Sequence, residues 1–347
     1  VPELISTGVE TELQRYFAAS RLRASDYGEH YVALWDALAQ ASSGGKRVRP
    51  ALVLAAYAGF GGQDLALAMP VAVSFELLHT AFTIHDDVID RDLTRRGLPN
   101  IAGTFQRRAR ELGASEDQSS VWATTAAILA GDLALSEAHR AIATLPVDVG
   151  ARTQLLDLID RSVFVSAAGE LADVTNTVGQ AATIEQVLST LELKTAVYSF
   201  EAPLQAGAIV AGASPEALDA LGQFGRLIGI AFQLTDDLLG VFGDAAVTGK
   251  STASDLREGK QTTLIAFART TAAWPEIDPL LGSPALTDAQ ADLVREHLRD
   301  CGALHATEDL IRDHVSRAVG ALDTPALPEA VRTILTDLVA LATERRR

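Results

Sequence analysis

An all-α fold is predicted by three features of the sequence. The chain is 48% hydrophobic but only 5% aromatic. Its apolar stock is mostly Ala and Leu, which favour helix over strand. No stretch alternates convincingly with period two, so few or no strands are expected. Helical spacing of apolar residues, broken by Gly, Pro, Ser and Asp clusters, predicts helices over about 3–22, 28–41, 48–59 and 64–90. The loop Ser42-Ser43-Gly44-Gly45-Lys46-Arg47 precedes the third of these, and the turn Arg95-Arg96-Gly97-Leu98-Pro99 follows the fourth. Further helices are predicted over about 116–143, 149–177, 184–198, 201–211 and 215–242. A polar stretch from Gly243 to Gly259 comes next, then helices over about 257–270, 287–302, 305–321 and 328–344. There is no repeat of solenoid length and no low-complexity linker, so residues 1–347 are expected to form a single domain.

The formal net charge of -16 repels polyanions and argues against nucleic acid or an anionic membrane as the main partner. A diphosphate would be repelled as well, unless local cations or metal ions reverse the sign at its site. Cys301 is the single cysteine, which excludes a disulfide framework and points to a reducing compartment and an inert, half-buried thiol. No apolar run reaches the ~18 residues of a membrane span, because the candidate from Leu65 to Phe75 is cut by Pro70, and no stable membrane insertion is expected. The chain opens on Val1, with no basic segment followed by an apolar one, so no secretory signal is read and a cytoplasmic location is expected.

Two acidic motifs carry the chemistry. The first, His79-Thr80-Ala81-Phe82-Thr83-Ile84-His85-Asp86-Asp87-Val88-Ile89-Asp90, ends a long apolar helical run. Positions four apart share a helix face, so His79, Thr83, Asp86 or Asp87, and Asp90 form a polar stripe. Like charges on neighbouring turns repel unless a cation sits between them, and hard oxygen ligands at this spacing suit Mg²⁺. The second motif, Phe232-Gln233-Leu234-Thr235-Asp236-Asp237, lies about 150 residues further on and is again an acid pair on an apolar helical background. Two such pairs suggest carboxylates converging on metal inside a helical bundle.

Cations accompany the acids. Gly44-Gly45-Lys46-Arg47-Val48-Arg49-Pro50 puts three basic residues on a Gly-rich turn at a helix start, where side chains and free N–H groups can meet a phosphate. Arg95-Arg96-Gly97 supplies forked donors just after the first acidic motif. Lys194-Thr195, Lys250 and Lys260 add isolated ammonium groups.

Taken together, the Gly-Gly-Lys-Arg-x-Arg-Pro box, the Asp-Asp-x-x-Asp and Arg-Arg-Gly boxes, the Lys-Thr pair and the Phe-Gln-x-x-Asp-Asp box resemble the trans-isoprenyl diphosphate synthase (polyprenyl synthetase) family. The match runs from about Gly44 to Lys260. The resemblance implies a single bundle of antiparallel helices around a central cavity, the isoprenoid synthase type I fold, usually assembled as a homodimer. It implies that Lys46, Arg49, His79 and Arg96 hold isopentenyl diphosphate. Asp86, Asp90 and Asp236 would ligate three Mg²⁺ ions, with Asp87 and Asp237 counted in the same catalytic set. Arg95, Lys194, Lys250 and Lys260 would grip the allylic diphosphate, and Thr195 and Gln233 would line the reacting centre. Two departures stand out: Gly240 replaces the third Asp that many members carry in the second motif, and Asp92 is an extra, exposed acid. Asp244 is a possible water-mediated substitute. Leu78, Ala81 and Phe82, below the first motif, are assigned to product length, and the small Ala81 points to the C20 product, geranylgeranyl diphosphate, with C15 and longer chains as alternatives. A class I terpene cyclase would not need the Lys46, Arg49 and Arg96 group, and a non-catalytic subunit would not need both acid pairs. The terminal Arg345-Arg346-Arg347 is expected to be a frayed, solvated tail.

Overall fold

The structure is a computed structural model and describes residues 2–178, 182–243 and 253–343. Among these residues the chain is all-α except for one pair of two-residue strands. It divides into two compact units, Val1–Asp157 with Ala206–Gly212, and Leu158–Gln205 with Ala213–Arg347.

The first unit contains α1 (Pro2–Ala24), α2 (Glu29–Ala41), α3 (Val48–Gly59), α4 (Leu65–Ile89), the strands β1 (Thr94–Arg95) and β2 (Leu98–Pro99), α5 (Ile101–Glu111) and α6 (Glu116–Ala143). Helix α4 is its axis and buries Val71, Ala72, Phe75, Leu78 and Ala81. Small residues of α6, among them Ala127, Ala130, Gly131, Ala134 and Ala138, let the two helices come close, and the Ser74 hydroxyl donates to the Ala138 carbonyl at 2.7 Å. Pro70 does not cut α4, because it lies near the start, where few ladder bonds are lost. By length and composition alone α4 could therefore cross a membrane, against the sequence expectation, yet most of it is buried inside the unit as a core helix.

The strands form a hairpin with Arg95 opposite Leu98. Its two turn residues, Arg96 and Gly97, have φ of 53° and 74°, the left-handed pair that a tight two-residue turn needs to match strand twist. Asn100 ties this hairpin to α5. Its backbone N–H donates to the Leu93 carbonyl, its side-chain amide donates to the Asp92 carbonyl at 2.8 Å, and its side-chain oxygen caps α5 by accepting from Gly103 N–H at 2.9 Å. Helix α5 is absent from the sequence reading because it buries only Ile101, Ala102, Phe105 and Ala109, too few to stand out between polar residues.

The second unit holds most of α7 (Val149–Val178), then α8 (Ile184–Leu191), which continues through a π-helical segment, Glu192–Glu201, into α9 (Ala202–Val210), whose residues from Ala206 on belong to the first unit. The helices predicted over 184–198 and 201–211 are thus one continuous run, with wide turns where a break was expected. Helix α10 (Pro215–Phe242) lies against the π segment, and both Gly225 and Gly229 are needed there. A Cβ on Gly225 would stand 2.5 Å from the Glu201 Cα, and one on Gly229 would stand 2.7 Å from the Ala196 Cβ. Glu201, only 1% exposed, accepts hydrogen bonds from Arg161 and Arg226, each at 2.7 Å, and so joins α7, the π segment and α10. The helix predicted over 257–270 is instead two short ones, α11 (Ser254–Glu258) and α12 (Thr263–Ala268), broken by Gly259 at φ 69°. The unit is completed by α13 (Trp274–Ile277), α14 (Asp288–Asp300), α15 (Ala303–Ala321) and α16 (Glu329–Thr343).

Candidate active site

In the first unit, the Gly-rich turn, α4 and the hairpin together line a cleft of about 170 Å³ that includes Gly44, His79, Thr83, Asp87, Arg95 and Arg96. Gly44 and Gly45 take positive φ of 70° and 91°, which folds the turn tightly enough for Arg96 to lie over it. The Arg96 guanidinium donates to the Ser43 carbonyl at 3.3 Å, and a Cβ on Gly45 would come within 3.2 Å of it. Lys46 is exposed and Arg49 half-buried.

Arg47 departs from the expectation that all three basic residues of the turn meet phosphate. Only 4% exposed, it points inward and donates to Glu76 at 2.5 Å and to Glu10 at 2.6 Å. Its left-handed φ of 49° is the local strain accepted to turn the side chain into the core. Arg47 therefore anchors the loop that carries Lys46 and Arg49.

His79 sits one turn before Thr83, with Nδ1 3.4 Å from the Thr83 hydroxyl. Burial, followed by the nearby charges of Arg49, Arg95, Arg96 and Arg47, holds its pKa well below the usual imidazole value. The ring is therefore neutral at neutral pH and can accept or donate a hydrogen bond without adding charge.

In each acidic motif the two neighbouring aspartates do different work. Asp87, 5% exposed, accepts two hydrogen bonds from Arg95, at 2.8 and 2.6 Å, while the half-buried Asp86 keeps its Oδ2 3.6 Å from the same guanidinium. Asp90 is exposed at the end of α4, on the face of Asp86. In the second unit, Asp237, 2% exposed, accepts from Lys260 at 2.9 Å and from the Gln233 amide at 3.2 Å, while Asp236 is exposed. Burial raises the pKa of both Asp87 and Asp237, and the cation partner opposes that rise in each case. Lys260 is driven above the ordinary lysine value, first by the Asp237 charge, and stays protonated. The inner aspartate of each pair thus fixes a cation in a buried position, and the outer one is the more exposed of the two.

Lys194 and the half-buried Thr195 lie on the π segment. The Lys194 ammonium is held by Asp173 at 2.7 Å and Glu170 at 2.9 Å, both on α7. The sequence reading did not single out these two acids, although Gly169 beside them was a usable signal: a Cβ there would fall 2.3 Å from the Lys194 backbone nitrogen. Below the first motif, Leu78 and Ala81 are each fully buried, whereas Phe82 is half-buried one turn beneath Asp86 on the same face. Lys250, Asp244 and Arg345-Arg346-Arg347 lie outside the described residues.

Among the described residues no three His, Cys, Asp or Glu side chains form a ready-made metal cage. The donor set nonetheless fits a hard divalent ion, since each motif presents outward carboxylate oxygen and such ions take the rest of their ligands from phosphate and water.

Paired aspartates beside fixed cations on helices are a donor set of the kind that can hold a metal-bound diphosphate. The sequence model of the polyprenyl synthetase family matches residues 33–293. The geranylgeranyl diphosphate synthase of Methanosarcina mazei is 32% identical over 81% of this chain and 80% of its own. The geranylfarnesyl diphosphate synthase of Aeropyrum pernix is 34% identical over 87% and 91%. A crystal structure of geranylgeranyl pyrophosphate synthase from Corynebacterium glutamicum, complexed with isoprenyl diphosphate and magnesium, superposes with a TM-score of 0.92 at 32% identity, covering 100% of both chains. The chain belongs to the polyprenyl synthetase family, the trans-isoprenyl diphosphate synthases, and is a prenyltransferase of the all-α isoprenoid synthase fold.

Proposed function

We propose that the chain is a magnesium-dependent enzyme that condenses isopentenyl diphosphate with dimethylallyl, geranyl or farnesyl diphosphate, and that its main product is the C20 geranylgeranyl diphosphate. The observation that carries this reading is the division of labour in the acid pairs: buried Asp87 holds Arg95 and buried Asp237 holds Lys260, and the metal ligands are assigned to the more exposed Asp86, Asp90 and Asp236. Lys46, Arg49, Arg96 and neutral His79 bind the isopentenyl diphosphate. Arg95, Lys194, Lys250 and Lys260 orient the allylic diphosphate, and Thr195 and Gln233 line the reacting centre. Magnesium, when bound, supplies the positive charge that stabilises the departing diphosphate. Arg95, Lys194 and Lys260, already placed by their carboxylate partners, add to that stabilisation.

Ala81, Phe82 and the C20 products named for the M. mazei and C. glutamicum relatives support the chain length. The relative from A. pernix, named for a longer product, keeps C25 open, and C15 stays the shorter alternative. Exposed Val121, Ile128 and Leu129 on α6, and exposed Phe164 and Leu171 on α7, support a homodimer, since apolar side chains of this size on a helix surface gain from a partner. The single cysteine supports a cytoplasmic enzyme. The test is incubation with labelled isopentenyl diphosphate, magnesium and each allylic starter, followed by measurement of product length. A dominant C20 product is expected. No consumption of isopentenyl diphosphate would overturn the reading.

A further inference from the structure

The second acidic motif lacks the partner that the first one has. Asp86 and Asp90 share a face of α4, four residues apart, whereas the position four residues after Asp236 on α10 is Gly240. Yet the space a side chain would fill at Gly240 is taken. A Cβ built there would stand 2.2 Å from Oδ2 and 3.0 Å from Cγ of Asp255, so a carboxylate already occupies the place, supplied from the next helix. Asp255 lies on α11, whose Leu256 is 1% exposed in the core, and its backbone carbonyl accepts from Lys260 N–H at 3.0 Å. The same short turn therefore fixes both Asp255 and the cation on Asp237. The charge of Asp255 acts on Asp237 and on Lys260 alike, so its field reaches the acid pair.

We infer that Asp255 supplies the carboxylate missing at Gly240, so that the second motif presents Asp236 and Asp255 to the metal–diphosphate complex as the first presents Asp86 and Asp90. Gly240 is then no lost ligand. It is the opening through which a carboxylate from another helix enters, and a side chain at 240 and the observed Asp255 rotamer exclude one another. This inference rests on the reading of the second motif as a magnesium–diphosphate seat.

Calorimetric titration of magnesium into the protein with inorganic pyrophosphate tests it without turnover. Asp255→Asn, which preserves shape, is expected to weaken magnesium binding roughly ten- to a hundredfold. Gly240→Ala should do the same by displacing the carboxylate, and the double variant should be no weaker than either single one. Gly240→Asp combined with Asp255→Ala returns a carboxylate to the vacated place and should restore binding to within about threefold of the parent, a gain that a merely structural role for Asp255 would not give. Asp236→Asn is the control. If it abolishes binding while Asp255→Asn changes nothing, the inference fails and the functional reading stands. Additive losses in the Gly240→Ala, Asp255→Asn pair would also overturn it. If the parent binds no magnesium with pyrophosphate, both readings fall.

Discussion

At the scale of single residues, neighbours in sequence separate into buried, ion-paired positions and exposed ones. Arg47 and Lys46 are adjacent, but Arg47 is a buried ion-paired anchor and Lys46 is exposed. Removing one partner of a buried pair leaves an uncompensated charge, so Glu76→Gln or Arg47→Ala is expected to destabilise the fold by about 3–5 kcal/mol. Lys46→Ala is expected to stay within about 0.5 kcal/mol of the parent while raising KM for isopentenyl diphosphate. Chemical denaturation together with steady-state kinetics separates the two cases. His79 gives a pH signature. In the unfolded chain its ring takes a proton near pH ~6.5, but the fold holds it neutral to well below that value. The unfolded state therefore binds the extra proton in that window, and stability falls as pH drops below ~6.5. A His79→Asn variant should show a pH–stability curve shallower by one proton, measured by urea denaturation across that range. The i, i+4 stripe of Asp86 and Asp90 was legible in the sequence because period alone sets it. The inward turn of Arg47 was not, since nothing in a run of basic residues says which one finds a buried glutamate.

At the scale of elements, position depends on close backbone approach more than on propensity. Lys194 reaches its two acids because Gly169 lets α7 touch the π segment. Gly169→Ala places a Cβ against backbone, which cannot step aside as a side chain can. A lower melting temperature and a raised KM for the allylic substrate are expected, whereas Asp173→Asn should alter KM with little change in melting. The sequence marked Lys194-Thr195 but not Glu170 and Asp173, because single acids on an amphipathic helix look like solvated surface. The π segment was hidden for a related reason. Its Leu193, Ala196, Val197, Tyr198 and Phe200 are carried through wide turns, so a pattern tuned to 3.6 residues per turn reads a break there. Helix α5 was missed through lack of apolar residues, although Asn100 was a usable start signal.

At the scale of the whole molecule, the all-α class and both acidic motifs were readable from composition and spacing, while the division of labour within each acid pair needed coordinates. Product length is the global property most open to a single change. Phe82 shares the face of Asp86 one turn below it, so Phe82→Ala is expected to lengthen the product and Ala81→Phe to shorten it, as read by chromatography of the dephosphorylated alcohols. An unchanged spectrum for both would show that other residues stop the chain. Chelation of divalent metal should abolish turnover, and magnesium with pyrophosphate should raise the melting temperature, because a ligand bound only by the native state stabilises it.

Under the proposed function, the ion pairs of Arg95, Lys194 and Lys260 have a further consequence wherever other anions are present. Each cation waits with its own internal counter-ion, at 2.6, 2.7 and 2.9 Å respectively. A stray nucleotide or free phosphate must displace a protein carboxylate before it gains anything, so the idle enzyme resists being silted up by the wrong polyanion. A diphosphate that arrives with its metals brings positive charge for the nearby acids, and the exchange then favours the substrate.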